Sequence, residues 1–283
     1  MSDDVSVPED GPAQIGPVSL PVGQRMYGAP VPPFFRQRFG IADNSGRPVA
    51  WVTSRPMADA GQAWLALHEA QTTTGLVPVL IPPGEDVCES GITENFGFHG
   101  TQDVSLIESM SAQTVLNAAW DMGEESLDPY LAEERAPFGA DFPGLAPAEE
   151  TRLAAATLRA AVTAEGPAFV GLVAARRPAD IPAAVGWSVF GSDAPWTPQA
   201  RSLEISTVLR SWEDRFGACL LRIGFDAILH VLVERPPRTL EAALGVAAEH
   251  FVFADQCGDD SACTVRELAE LLVGEPVWHF WWD

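Results

Sequence analysis

The chain has 283 residues, 47% hydrophobic and 20% charged, which is enough apolar material for one large globular domain or two small ones. Its 39 acidic and 17 basic side chains give a net charge of −22, and every basic residue is arginine. So acidic a surface repels phosphate backbones and anionic lipid, which excludes nucleic acids and membrane surfaces as expected partners.

Residues 1–33 are rich in Pro, Gly and acidic side chains and predict a disordered acidic leader. They lack the basic start and apolar run of a secretory signal, and no stretch of about 18 apolar residues occurs anywhere. The expected location is the cytoplasm, where Cys88, Cys219, Cys257 and Cys263 are expected as thiols.

An N-terminal α/β region is expected over 34–146, beginning at Phe34, Phe35 and Phe39. Residues 49–53, with Trp51, read as a strand. Asp59 and Gln62 have the spacing of a capping box for a helix to about Gln71, with Ala60, Ala63, Trp64 and Leu67 on its apolar face. Residues 76–81 read as a second strand, and Pro78, having no amide to donate, predicts an edge position. Strand, helix and strand together suit a parallel crossover. A Gly-rich loop follows over 84–100, then a helix from Ser111 to Trp120 and an acidic short helix over 124–134. The turn-rich residues 138–147 read as the internal linker.

A C-terminal α+β domain is expected over 147–283. Pro147, Glu149 and Glu150 suit the first turn of a helix running to about Ala164. Residues 168–174 read as a buried strand, and a short helix over 180–185 ends at Gly186. The best-specified unit then begins. Ser202 suits an N-cap, and Ile205, Val208, Leu209, Trp212 and Phe216 share one helical face. Gly217 suits the left-handed stop. Cys219, Leu221, Ile223 and Phe225 alternate in one strand; Leu229, Val231 and Val233 do so in its hairpin partner, which Pro236 and Pro237 end. Thr239 caps a further helix, and Thr264 with Glu267 forms a capping box for the last one, ended by Gly274. The terminal strand places Trp278, Phe280 and Trp282 on one side and Val277, His279 and Trp281 on the other. The fold class expected is α+β: mixed sheets flanked by helices, with a helix–hairpin–helix–helix–strand unit at the C-terminal end.

No phosphate-binding loop, dinucleotide fingerprint, nucleophile elbow or paired metal-binding His motif is present, so no catalytic residue and no cofactor is assigned. Cys257, Cys263 and His250 make a poor zinc half-site, because five residues separate the cysteines where about two to four are usual. No metal is expected. His250 falls in the last turn of its helix, where a positive imidazole suits the dipole. Glu213, Asp214, Asp226 and Asp283 converge if the terminal strand joins the hairpin, and a carboxylate buried beside tryptophan acts as an acid. The simpler expectation puts Glu213 and Asp214 on the solvent face of their helix and Asp226 in a turn. Tryptophan is a common interface anchor. Trp212, Trp281 and Trp282, with Asp214, Asp226 and Asp283, are therefore the candidate binding residues.

The segments SWEDRFGA, GFD, AAEHF and FWWD resemble domain of unknown function family 4253 (DUF4253), a family of high-GC bacteria with no established activity. The resemblance covers roughly 168–283 and implies a small α+β domain in a cytoplasmic protein. It carries over no functional residue. The function expected is non-enzymatic binding of a basic protein partner, of an immunity-like or regulatory kind. The alternative is a hydrolase with a carboxylate site assembled in space.

Overall fold

A computed structural model describes residues 5–28, 46–83, 98, 102–122, 133–187, 198–224, 228–254, 256–257 and 264–282. Among the described residues nine strands form one sheet: β1 (Gly11–Ile15), β2 (Val18–Tyr27), β3 (Pro48–Thr53), β4 (Leu76–Ile81), β5 (Phe169–Ala174), β6 (Ala218–Ile223), β7 (Ile228–Val233), β8 (Gln256–Cys257) and β9 (Val277–Trp281). Their spatial order is β1-β2-β3-β5-β4-β6-β7-β9-β8. All neighbours are antiparallel except β4 and β6. The helices are α1 (Ala60–Thr74), α2 (Ala112–Met122), α3 (Ala155–Ala164), α4 (Ile181–Val185), α5 (Pro198–Phe216), α6 (Leu240–Phe253) and α7 (Val265–Leu272). Among the described residues no helix is long and apolar enough to cross a membrane.

Two cores lie on opposite faces of the sheet. Helices α1 and α3 cover one with Trp64, Leu67 and Val162; the other is covered by α2, α4, α5, α6 and α7. Strands β4 and β5 are therefore buried on both faces, which explains their continuous apolar runs. The fold is α+β with a mixed sheet flanked by helices. The helix–hairpin unit stands as expected, and β9 completes it by pairing with β7.

The leader is a correction: residues 11–15 and 18–27 are strands, not a disordered tail. Arg25 pins the segment before them, with Nη1 2.6 Å from Glu9 and its amide donating to Asp10. Trp51 Nε1 donates to the Glu9 carbonyl. Nor does the sheet divide at the expected linker. Strand β5, from the C-terminal region, lies between β3 and β4 and is antiparallel to both. Strands β3 and β4 therefore run parallel but do not touch. Pro78 lies in an interior strand rather than at an edge; β4 meets β6 only at Leu80 and Arg222, so no ladder to β6 is made at Pro78.

Several local expectations also change. Asp59 precedes α1 without a side-chain cap. Residues 147–154 are not helical: Glu149 and Leu153 donate their amides to Arg215 and Glu234, strapping this segment across the C-terminal unit. Phe138, Phe142 and Leu145 pack against the core, so 138–147 is not a free linker. Helix α5 starts a turn before Ser202, which is buried inside it. Gly217, at φ 62°, does end that helix. A bulge between Leu220 and Arg222 turns Ile223 to the face opposite Cys219 and Leu221. The acidic helix expected at 124–134 falls almost wholly outside the described residues.

Candidate functional site

The same bulge creates the most distinctive polar feature of the sheet. Without it Leu221 would face His230; with it Arg222 does, and His230 in turn faces His279. Paired positions project from one face. Arg222, His230 and His279 therefore stand in a row across β6, β7 and β9, on the face that α1 and α3 cover. Along β7 and β9 the rung on one side, Leu232 and Val277, is buried. The rung on the other side, Ile228 and Trp281, opens toward solvent, with Trp281 36% exposed. The row thus marks the boundary between core and water.

Glu165, the residue that ends α3, closes onto this row. Its nearly buried carboxylate accepts from His230 Nδ1 at 3.0 and 3.2 Å and pairs with Arg222 Nε at 2.9 Å. Arg222 Nη2 donates to the Glu165 carbonyl, satisfying one of the acceptors a helix end leaves open. The rings of His230 and His279 meet edge-on with centroids 4.2 Å apart.

Burial alone would raise the Glu165 carboxyl, but the hydrogen bond and charge of His230, with Arg222, hold it below its ordinary value. Burial and the neighbouring His230 push His279 down to about 4. At neutral pH Glu165 is a carboxylate and His279 a neutral imidazole. Donation from Nδ1 to Glu165 fixes the orientation of His230, and whenever the ring is neutral its Nε2 is the atom left as acceptor, base or ligand. Among the described residues no three His, Cys, Asp or Glu side chains converge as metal ligands.

Among the described residues the remaining histidines and Cys219 are buried or stacked against the core. Cys219 Sγ lies 3.9 Å from His68 Nδ1, but burial pushes the thiol well up, so it is no nucleophile at neutral pH. His68 stacks on Trp64 and is lowered by burial. His250 is a correction: burial, with Arg215 nearby, lowers it to about 3, so it is neutral rather than a charged helix cap. Glu213 does not sit on a solvent face, whereas Asp214 is exposed as expected. Glu213 accepts from Arg177 Nε at 3.1 Å, and Arg215 binds the buried Glu249. Two surface grooves, one along α2 and one between α1 and α3, gather no histidine or cysteine.

The residues singled out from the sequence do not form one surface. Trp212 is buried, stacked on Phe280 at 5.2 Å, and donates to Glu249 at 2.7 Å. Trp282 is buried and donates to the Phe253 carbonyl. Asp214 accepts from Arg177 near the surface. Trp281 projects from the opposite face of the sheet, beside the histidine row. Asp226 and Asp283 lie outside the described residues, as do the side chains of Cys257 and Cys263. Glu165, Arg222 and His230 were not singled out at all. The available signal was a polar residue interrupting each apolar strand, Arg222 in ACLLRI and His230 in ILHVLV.

The architecture defines a mixed-sheet α+β protein with helices on both faces and a histidine-bearing rung at its C-terminal end. Residues 169–283, from β5 through β9, match the family model described as Domain of unknown function (DUF4253), and the resemblance read from the sequence is thereby shown. That span includes Arg222, His230, His279 and Trp281; Glu165 falls four residues before it. No curated protein and no solved structure matches the chain.

Proposed function

We propose that the protein is a non-enzymatic, cytoplasmic binding factor, immunity-like or regulatory, that engages a basic protein through the solvent-facing ends of β7 and β9. The observation that supports this reading is Trp281. It is 36% exposed, whereas Trp278 and Trp282 are each 1% exposed. A tryptophan offers a large contact area and one donor, the usual composition of an interface anchor. Ile228 and His279 flank it on the same face. The net charge of −22 would draw a basic partner by long-range steering. The immobilised full chain and its Trp281→Ala variant, exposed to native lysate at low and high salt, test the reading. The expected result is a basic protein retained by the parent, lost at least tenfold by the variant and weakened by salt. Equal retention by both would sink it.

An enzyme with a spatially assembled carboxylate site is the second reading. Glu165 favours it, because a carboxylate holding His230 by Nδ1 is the arrangement of an oriented general base. Hydrolysis of a simple aryl or phosphate ester by the parent, absent in His230→Gln, would favour it over binding alone.

A further inference from the structure

We propose that His230 and His279 together bind one divalent transition metal ion of the zinc, nickel and copper class, with Glu165 fixing the first histidine. The two residues are Cα partners on adjacent antiparallel strands. Directly opposed side chains leave the sheet about 4.5–5.5 Å apart at Cβ. Two imidazole nitrogens about 2.0–2.1 Å from one ion can be reached from such a pair, and imidazole suits these metals. The rings already stand 4.2 Å apart between centroids, and His279 is an exposed residue of β9.

The surroundings fit a ligand pair better than a chance contact. A metal-bound histidine commonly donates its other ring N–H to a carboxylate, which sets tautomer and direction. Glu165 receives His230 Nδ1 in this way. The one permanent cation in the row, Arg222, is paired with the same carboxylate, so the ion meets a row that is close to neutral. Two protein ligands leave further positions for water or for a group on a partner. The site is therefore one for a readily exchanged ion, not a closed structural zinc.

Calorimetric titration of the metal-free full chain with Zn²⁺ and with Ni²⁺ near neutral pH tests the proposal. One ion per chain is expected. His230→Ala and His279→Ala should each weaken binding at least tenfold, and His68→Gln, at a histidine stacked on Trp64 instead, should not. Glu165→Gln should weaken it by roughly 10-fold, the lower end of the effect of a lost outer partner. Circular dichroism checks that the variants are folded. A second measurement needs no variant: the Cu²⁺-loaded parent should show nitrogen hyperfine structure from two imidazoles in its electron paramagnetic resonance spectrum. No saturable uptake, uptake unchanged by His279→Ala, or a spectrum with fewer than two nitrogens would each overturn it.

Discussion

Arg215 of α5 and Glu249 of α6 face each other through two parallel hydrogen bonds, Nη1 to Oε1 at 2.7 Å and Nη2 to Oε2 at 2.6 Å. Glu249 is wholly buried and also accepts from the Ala146 amide and Trp212 Nε1, each at 2.7 Å. One carboxylate thus ties α5, α6 and the strap before α3. Removing one partner of a buried pair strands the other charge, at a cost of about 3–5 kcal/mol. Arg215→Ala and Glu249→Ala should each lower stability by about that much in urea denaturation. A loss within experimental error of zero would show the pair to be solvated.

The two tryptophans of β9 should differ sharply. Trp278 packs edge-on against Trp212 and Phe216 and is buried; Trp281 is not. Truncating a buried tryptophan costs about 3–5 kcal/mol. Trp278→Ala should lose that amount, while Trp281→Ala should lose less than about 1 kcal/mol, as surface changes do. Equal losses in chemical denaturation would mean that the two sides of β9 are wrongly assigned.

Stability should rise with pH between about 4 and 6.5. His250 sits at about 3 in the folded chain, below its ordinary 6.5, because it is buried and near Arg215. Above 6.5 both folded and unfolded forms are neutral there. As pH falls, the unfolded chain takes a proton that the folded chain refuses, costing up to about 1.4 kcal/mol per pH unit. His279 acts in the same direction. His250→Gln should flatten the slope by nearly one proton, measured by urea midpoints at a series of pH values. An unaltered slope would count against a buried neutral His250.

Cys219 should be inert in the folded chain. Its thiol is buried, and desolvation pushes it well above its ordinary value. With Cys88, Cys257 and Cys263 replaced by serine, a disulfide reagent at pH 8 should label Cys219 only after denaturant is added. Rapid labelling of the native protein would refute the burial assigned to it.

Local signals were readable from the sequence. The 3–4 spacing of Ile205, Val208, Leu209, Trp212 and Phe216 identified the inner face of α5, and all five are buried. Alternation sorted β9 correctly, and the Thr264–Glu267 box forms as its spacing demands. What failed depended on distant partners. Burial along β2 does not follow simple alternation, and its register shifts where it pairs with β3, so nothing local announces the strand. Arg215 and Glu249 are 34 positions apart, and each alone resembles a surface charge. The histidine row required a register that one bulged leucine decides.

The place of β5 has a consequence for how the chain comes together. A ribosome that has delivered the first 160 or so residues has made β3 and β4 but not the strand that separates them. Until β5 emerges, β3 can pair natively only with β2, and β4 has no native partner at all. Long-range closure of this kind slows folding. Cutting the gene just before residue 169 should leave an N-terminal fragment with a gap in its sheet and a C-terminal fragment whose first strand has lost both neighbours, so the two pieces are expected to recover structure only when mixed.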